Sequence, residues 1–251
     1  MTGKQTRDAV QFWDDLFSAG SSRDYSRVGL PDENDPVNPA LEAALAHFGD
    51  VRGKTLLDLG CGKGATSLFF ASKGANVLAV DISKAAIENL RNFCAENGIP
   101  NVTPVHMGAQ EISRLGKVDF AFGAMILHHI EPFRDFAETL RGVISEGGRG
   151  FFWENNARSE LMIWFRENVV GKYGIPKFGD DEEFPLTPGE VNVLREYFRV
   201  RVDYPELYFF RMIAQYLLRG YFEEQFVAVD RYFYRFPRLR EYSYRQFVYL
   251  S

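Results

Sequence analysis

The sequence predicts an α/β fold, a doubly wound and mostly parallel sheet with helices on both faces. Two observations predict this class. Across residues 54–155, short apolar runs rich in β-branched residues alternate with longer segments of helical periodicity. The runs are apolar throughout, as is typical of strands buried in a parallel sheet, and the segments between them are long enough for crossover helices. A chain of 251 residues can bury a core of this size.

Three segments precede the predicted sheet. Apolar residues at helical spacing in residues 7–19 predict an amphipathic helix. Residues 20–39 are rich in glycine, proline, serine and asparagine and predict an irregular connection, and a loop of this length inside a compact protein is usually functional. A helix is then expected to begin after Asn38, with Pro39 at its first position, and to end near His47.

The alternating region supplies the core elements in chain order. Strands are predicted at residues 54–59, 76–81, 102–106, 118–124 and 149–154, and helices at 64–73, 83–97 and 132–144. No internal repeat is visible in the sequence. This order of strand, helix and strand predicts βαβ units and therefore a parallel sheet.

After residue 155 the alternation becomes looser. A helix is predicted at 161–169, followed by an acidic segment at 171–186 that we interpret as a solvated loop. Thr187 and Glu190 have the spacing of a capping box and predict the start of a helix that ends near Phe198. The prediction is completed by a strand at 199–204, an aromatic helical stretch at 207–235 and a final strand at 242–250.

Composition and charge exclude several classes of function. The net charge is −5 and the pI is about 5.5, so there is no broad basic surface and nucleic acid is not an expected partner. The two cysteines, Cys61 and Cys94, lack metal-ligand spacing, and no leader pattern is visible, so we expect a reduced, cytoplasmic protein without a metal site. No apolar run approaches the roughly 20 residues that span a bilayer, which argues against membrane insertion but leaves surface contact open.

A glycine-rich turn, LDLGCGKG at residues 57–64, lies between a predicted strand and a predicted helix. Glycines allow the backbone to turn sharply and to approach a ligand, and the helix that follows presents free N–H groups. Asp81 lies 21 residues after Gly60, at the end of the next predicted strand, where it can accept hydrogen bonds from a ribose diol. Together the turn and Asp81 predict a nucleoside-bearing cofactor.

Asp58 helps to identify that cofactor. A dinucleotide would bring its pyrophosphate to this turn, where a carboxylate at contact distance would repel it by roughly a few kcal/mol. S-adenosylmethionine (SAM) carries a sulfonium and an ammonium, which Asp58 can stabilise directly or through water. The spacing Gly60-x-Gly62-x-x-Ala65 also satisfies the dinucleotide fingerprint. SAM is therefore the primary prediction, and a nicotinamide-dependent oxidoreductase is the alternative.

Four ordered segments carry a family resemblance: LLDLGCGKG at 56–64, VLAVDIS at 77–83, VDFAFGAMILHHI at 118–130 and RGVISEGGRGFFWEN at 141–155. Over about residues 54–155 the chain resembles the class I SAM-dependent methyltransferases of the small-molecule type. The resemblance implies SAM as the cofactor. It also implies a Rossmann-like, seven-stranded sheet whose last strand is antiparallel, which residues 242–250 can supply.

Residue roles and domain limits follow from the same resemblance. It assigns Asp58, Gly60 and Gly62 to the methionine part of SAM, Asp81 and Ile82 to the adenosine, and Ala124 and Met125 to the wall that faces the methyl group. Residues 1–251 become a single methyltransferase domain, with a SAM-binding core at about 50–155 and acceptor-side elaborations at 1–49, 156–186 and 207–240. The chain departs from the family at Met107-Gly108-Ala109-Gln110, where an acidic residue often accepts from the adenine amine. Backbone groups or the Gln110 amide would have to replace that contact.

Candidate acceptor-side residues lie at the predicted strand ends and in the N-terminal connection. His128 is the candidate catalytic base and His129 a candidate substrate contact, because an imidazole just past the fourth strand can accept a proton near neutral pH. Glu154, at the end of the fifth strand, is a candidate for orienting a polar acceptor, and Tyr25 is a candidate for closing over the site. Packing or turn capping is the alternative for the histidines, and a solvated strand end is the alternative for Glu154.

Aromatic residues make up 15% of the chain and concentrate in its last hundred residues. The stretch 207–235 has three interpretations: packed core, a pocket for an apolar acceptor, or a surface for self-association into a homo-oligomer. The pocket is the preferred interpretation, with Tyr25 and aromatic residues of 207–235 covering the SAM methyl group. The chain is then predicted to methylate a small apolar or aromatic metabolite. A SAM-binding protein that no longer methylates is the remaining alternative.

Overall fold

The computed structural model describes residues 10–11, 14–15, 38–169, 172, 184–218 and 220–251. Its strands are β1 (Thr55–Leu59), β2 (Asn76–Asp81), β3 (Val102–His106), β4 (Val118–Ala124), β5 (Ile144–Asn155), β6 (Val200–Asp203) and β7 (Arg245–Leu250). The helices are α1 (Asn38–Phe48), α2 (Ala65–Ser72), α3 (Lys84–Glu96), α4 (Phe133–Val143), α5 (Glu160–Asn168), α6 (Pro188–Tyr197), α7 (Phe210–Leu217), α8 (Glu223–Phe233) and α9 (Pro237–Arg240). Short 3₁₀ helices lie at Ala109–Leu115 and Leu127–His129.

The seven strands form one sheet in the order β3-β2-β1-β4-β5-β7-β6. Strands β1 to β5 are parallel, whereas β7 runs antiparallel to both β5 and β6. This confirms the predicted fold class, including the antiparallel last strand. The strand order reverses between β1 and β4, and in doubly wound folds a ligand binds beyond the carboxyl ends of the strands at such a reversal.

The predicted element boundaries are confirmed closely in the core, with one clear difference at β5. Strands β3 and β4 have the predicted bounds. Strand β5 begins at Ile144 and not at residue 149. The strand is longer because Val118 of β4 pairs with Ile144, whereas Phe120 pairs with Arg149. The residues between these two pairs form an irregular step in the ladder that contains Gly147 at φ +75°. A sequence pattern of alternating apolar residues does not reveal such a step.

Apolar clusters cover both faces of the sheet. On one face, residues of α1, α2 and α3 pack on Phe120, Phe122 and Phe151, and the rings of Phe48 and Phe120 stack with centroids 4.8 Å apart. On the other face, α4 and α6 pack on the opposite side of β1, β4, β5 and β7. These faces are the reason that the strands are apolar throughout, and they leave the strand ends to position functional groups.

The last third of the chain adds helices beyond the ends of β5 and β7. The predicted capping box of α6 is confirmed, since the Thr187 hydroxyl accepts from the Glu190 N–H at 3.2 Å and the Glu190 carboxylate accepts from the Thr187 N–H at 2.7 Å. The predicted aromatic stretch 207–235 forms the helices α7 and α8, which contact each other through Asp230. A small third cluster, Met162, Tyr208 and Met212, joins α5 to α7.

No described helix is both long and apolar enough to cross a membrane. Among the described residues, no group of three or more histidine, cysteine, aspartate or glutamate side chains has an arrangement that would hold a metal ion.

Candidate active site

The glycine turn follows β1 and is fastened to β2. The N–H groups of Gly60 and Cys61 both donate to the carbonyl of Val80, at 2.8 and 3.0 Å. Gly60, Gly62 and Gly64 have φ values of +70°, +51° and +83°. Residues with a side chain rarely adopt this left-handed conformation, so the turn requires the three glycines that the sequence supplies.

Close packing constrains Gly60 further. A Cβ atom at Gly60 would lie 2.7 Å from the side chain of Ile126, which belongs to the loop after β4. The glycine turn and the β4 loop are therefore in direct contact. A side chain at Gly60 would disturb this packing as well as any ligand above it, so Gly60→Val would not separate cofactor binding from local folding.

Asp81 lies at the carboxyl end of β2 and joins the turn to α3. Its two carboxylate oxygens accept from the N–H groups of Gly62 and Ser83, each at 2.8 Å. The residue is 8% exposed, and burial raises the pKa of its carboxyl group. Each carboxylate oxygen can accept more than one hydrogen bond, so Asp81 can hold the turn and still accept from a diol. Ile82 follows it and is half-buried.

Asp58 is buried beneath the turn and has a different set of contacts. One of its oxygens accepts from the hydroxyl groups of Thr66 and Ser67, at 2.6 and 2.5 Å, in the first turn of α2. Asp58 is 1% exposed, and burial raises its pKa to about 6, with a smaller contribution from the charge of Asp81. Asp58 therefore holds the first turn of α2 from beneath the glycine turn.

The electrostatics of the turn favour a cation. Burial raises the pKa of the Cys61 thiol, and the nearby charges of Asp58 and Asp81 act in the same direction. Two carboxylates at one turn would repel a pyrophosphate and attract a sulfonium or an ammonium. These residues therefore fit SAM better than a dinucleotide.

Asp14 was not identified from the sequence, yet it touches this region. One of its oxygens accepts from the Ser83 hydroxyl at 2.6 Å and from the Ala85 N–H at 3.1 Å. Asp14 thus satisfies donors in the first turn of α3, directly after Asp81. An acidic residue on a predicted amphipathic helix carries no sequence signal for such a contact.

The segment after β3 departs from the family pattern, and its contacts are specific. The Gln110 side-chain N–H donates to the carbonyl of Glu131 at 2.8 Å, and the Met107 N–H donates to the carbonyl of Asp81 at 3.0 Å. Gln110 therefore fastens the 3₁₀ segment to the loop before α4. This contact uses one amide hydrogen, while the replacement contact to an adenine amine would need the amide oxygen as acceptor.

The end of β4 carries an unusual backbone conformation. Met125 has φ +56° although it is not glycine, and its N–H donates to the carbonyl of Trp153 at 2.8 Å. A left-handed conformation at such a residue costs roughly 1–3 kcal/mol and is concentrated at functional sites. The bond to Trp153 ties the start of the β4 loop to β5.

Glu154 organises the rest of the β4 loop. One carboxylate oxygen accepts from the N–H groups of Ile126 and Leu127, at 2.9 and 2.7 Å, and the other lies 2.5 Å from Nδ1 of His128. The side chains of Glu154 and His128 are 0% and 1% exposed. Because the Glu154 carboxylate is enclosed by these three partners, it is not available to contact an acceptor, which differs from the role predicted for it. We reassign Glu154 as a residue that positions His128.

The remaining predicted residues have different outcomes. His129 is half-buried, and its ring centroid lies 4.1 Å from that of His128. Tyr25 lies outside the described residues. The structure therefore brings together two groups: Asp58, Gly60, Gly62 and Asp81 at the turn, and Met125, His128, His129 and Glu154 at the β4 and β5 ends. Ile126 packed on Gly60 connects the two groups.

A cluster on the far side of β5 was missed by the sequence reasoning. The guanidinium of Arg245 lies 4.3 Å from the ring centroid of Tyr208 and 5.4 Å from that of Trp153, and its Nη1 is 3.0 Å from a Glu206 oxygen. Trp153 immediately precedes Glu154 in β5, and neighbouring residues of a strand point to opposite faces of the sheet, so this cluster lies across the sheet from the second group of site residues. The aromatic density of 207–235 was its only sequence signal.

Comparisons with known proteins agree with this geometry. Residues 56–148 match the family described as a methyltransferase domain. A ubiquinone biosynthesis O-methyltransferase from Rickettsia felis is 27% identical over 154 residues, which are 60% of this chain and 62% of that protein. The match thus spans less than two thirds of the relative's length.

Two solved structures share the fold over nearly the whole chain. Geranyl diphosphate C-methyltransferase from Streptomyces coelicolor A3(2) gives a TM-score of 0.62 at 15% identity and covers 99% of this chain and 97% of its own. The cyclase SpnF gives a TM-score of 0.61 at 15% identity, with coverages of 98% and 95%. At such low identity these structures establish the architecture alone. The methyltransferase match decides against the nicotinamide-dependent alternative.

Proposed function

We propose that this chain, a SAM-dependent methyltransferase by its family match, methylates a hydroxyl group of a small apolar or aromatic molecule. The observation that carries the proposal is the buried contact between Glu154 and Nδ1 of His128, 2.5 Å long, at the carboxyl end of β5. When bound, SAM supplies an electrophilic methyl group on its sulfonium. The residues of the chain have to hold the cofactor, aim the acceptor oxygen and remove its proton.

The first group of site residues would hold the cofactor. Asp81 would accept from the ribose hydroxyls while keeping its bonds to Gly62 and Ser83, with Ile82 beside the adenosine. The backbone of Gly60 and Gly62 would lie against the methionine part, and the field of Asp58 and Asp81 favours its positive charges. Met125 would then stand at the end of β4 that faces the transferred methyl group.

His128 would act as the base. A hydroxyl oxygen that accepts a methyl group must also lose its proton, and a positioned imidazole is suited to take it. The Glu154 carboxylate accepts at Nδ1, so Nδ1 carries the hydrogen and Nε2 is the basic nitrogen of the ring. A carboxylate that orients a histidine in this way also stabilises the imidazolium that forms.

The apolar character of the acceptor is inferred from the aromatic region around α7. Met162, Tyr208 and Met212 form a buried apolar cluster there, and Arg245 links Tyr208 to Trp153 of β5. Rings and thioethers of this kind suit a flat or hydrocarbon-rich molecule. The relative from Rickettsia felis is named for methylation at oxygen. That name supports transfer to a hydroxyl rather than to carbon or nitrogen.

The test uses SAM with a labelled methyl group and two aromatic diols, catechol and 4-nitrocatechol. The parent is expected to label both. His128→Asn should lower kcat with catechol by about 10²–10⁴, the usual contribution of a general base, while SAM affinity is unchanged. The loss should be much smaller with 4-nitrocatechol, whose hydroxyl is more acidic and needs less help to ionise. A merely structural role for His128 would lower both rates equally.

Three controls separate this role from the alternatives. Glu154→Gln should show the same dependence on acceptor acidity as His128→Asn, in weaker form. His129→Asn should keep the parent's ratio of the rate with catechol to the rate with 4-nitrocatechol. If only His129→Asn changes this ratio, His129 and not His128 is the base. SAM binding without label transfer to either diol, or to a wider panel of hydroxylated aromatics, would contradict the proposal and favour a SAM-binding protein that no longer methylates.

A further inference from the structure

An exposed surface near the C-terminus takes no part in the proposed chemistry. Residues 231–240 read RYFYRFPRLR, with four arginines and no acidic residue. We name as the arginine–aromatic surface six of the seven exposed side chains in this segment, leaving out Pro237: Arg231, Tyr232, Arg235, Phe236, Arg238 and Leu239.

The same segment is firmly attached to the protein by its other side chains. The ring of Phe233 stacks on Phe210 of α7, with centroids 5.5 Å apart. The Tyr234 hydroxyl donates to the carbonyl of Tyr204 at 2.7 Å, and Arg240 donates through Nε to the carbonyl of Tyr234 at 2.7 Å. Residues 233, 234 and 240 thus face inward, and the arginine–aromatic surface is held facing outward.

The apolar members of the surface form a contiguous patch. Tyr232, Phe236 and Leu239 are 55%, 48% and 37% exposed, and the rings of Tyr232 and Phe236 contact each other with centroids 6.1 Å apart. Isolated exposed apolar residues are ordinary on soluble proteins, whereas adjacent ones mark a surface that binds something.

The charged members of the surface are uncompensated. Arg231, Arg235 and Arg238 form no ion pair with any residue that the structure describes, and the Arg235 guanidinium lies 5.8 Å from the ring centroid of Tyr232. The chain as a whole has a net charge of −5. This patch is therefore a local positive region on an acidic protein, and its partner is expected to be anionic.

Among anionic partners, a lipid bilayer fits the composition best. Tyrosine and phenylalanine rings settle at the level of the headgroups, arginines pair with lipid phosphates, and an aliphatic side chain such as Leu239 enters the acyl boundary. A nucleic acid would need a longer basic track, which an acidic chain with three free arginines does not provide. We propose that the arginine–aromatic surface docks on the headgroup region of an anionic membrane.

The experiment is cosedimentation of the full chain with phosphatidylcholine vesicles, with and without phosphatidylglycerol. The parent should bind the phosphatidylglycerol vesicles and show little binding to pure phosphatidylcholine. Arg235→Gln with Arg238→Gln should weaken binding about 25-fold, since one arginine near an anionic surface is worth about fivefold. Tyr232→Ser with Phe236→Ser should weaken binding at least about tenfold, and this loss should persist when salt is raised.

A matched control replaces two arginines of similar exposure elsewhere, Arg52→Gln with Arg114→Gln, whose side chains are 77% and 71% exposed. That variant should bind like the parent, and circular dichroism should show that all variants are folded. An equal loss in the control would overturn the proposal, because general charge would then explain binding. Two other results would also overturn it. The first is that the parent does not bind vesicles but forms a dimer in sedimentation equilibrium, and the Tyr232→Ser, Phe236→Ser variant is a monomer. The second is that the parent binds single-stranded RNA and not vesicles. Since neither SAM nor acceptor is present, the outcome is independent of the proposed methyl transfer.

Discussion

At the scale of single residues, Asp58 and Asp81 differ in what they hold. Asp58 accepts from two hydroxyl groups of α2 beneath the turn, whereas Asp81 accepts from two backbone N–H groups at the edge of the ligand site. Burial raises the pKa of both carboxyl groups. The two acids therefore make separate predictions, one for stability and one for cofactor affinity.

Asp58 should make the free energy of unfolding depend on pH. Its folded pKa of about 6 lies above the ordinary value of 3.8, so the folded state keeps a proton that the unfolded state releases. The stabilisation by this proton is therefore complete below about pH 4. It is lost as the pH rises to about 6, and the free energy of unfolding falls by about 3 kcal/mol. Asp58→Asn should lack this fall. Denaturant titrations of both proteins between these pH values would check it, and parallel curves would contradict it.

Asp81 should contribute to SAM affinity through its charge. Asp81→Ala is expected to weaken SAM by roughly 1–3 kcal/mol, the scale of charge-assisted hydrogen bonds to a diol. Calorimetric titration with SAM measures the loss. Asp119→Asn is the matched control, because Asp119 accepts from the Thr55 N–H at the opposite end of the sheet. If SAM binds the Asp81 variant as tightly as the parent, the ribose lies elsewhere.

At the scale of elements, Asp230 couples the two helices of the aromatic stretch 207–235. From α8, its carboxylate accepts from the Phe210 and Arg211 N–H groups at 2.9 and 2.8 Å, and from the Phe209 N–H at 3.2 Å. These are orphan donors of the first turn of α7, which has no side-chain cap of its own. A residue of one helix thus supplies the cap of another.

Removing this cap should loosen the helical pair. Asp230→Ala leaves three partly buried donors without their acceptor and is expected to destabilise the protein by about 1–3 kcal/mol. Asp230→Asn keeps one acceptor oxygen and should lie between the parent and the alanine variant. Chemical denaturation measures the difference, and limited proteolysis should locate the new cleavage sites within α7 and α8. Equal stability of all three proteins would show that the contact is dispensable.

At the scale of the whole molecule, the acceptor side combines parts that are distant in sequence. The β4 loop meets the end of β5 at Glu154, and Arg245 of β7 joins Trp153 of β5 to Tyr208, which lies just before α7. The predicted cover from the N-terminal segment remains a prediction, since Tyr25 lies outside the described residues. Asp14 does link that segment to α3, through Ser83.

This link leads to an expectation for the N-terminal segment. Removing residues 1–30 should lower turnover far more than the thermal midpoint, because the described members of the core clusters on both faces of the sheet all come after residue 38. If the truncation also weakens SAM binding, Asp14→Ala should weaken SAM binding in the same way. The reason is that, among the described residues, Asp14 contacts only the first turn of α3. Normal turnover by the truncated chain would contradict the prediction that the N-terminal segment covers the SAM methyl group.

The sequence alone determined the fold class, the strand order along the chain and the cofactor turn of this protein. These depend on local rules, since a buried parallel strand must be apolar throughout, a sharp turn at positive φ must be glycine, and the capping box at Thr187 satisfies its own neighbours. The family resemblance extended this to the antiparallel β7 and to SAM.

Tertiary structure decided which polar groups meet. The enclosure of Glu154 by Ile126, Leu127 and His128 depends on the register of β4 against β5, which joins residues about 26 positions apart in the chain. Asp14 and Asp230 cap helices other than their own, and no periodic pattern in the sequence indicates these contacts. The tertiary structure also decided which aromatic rings of 207–235 are buried and which are exposed, because helical spacing alone does not show which face of an aromatic helix packs against the rest of the protein.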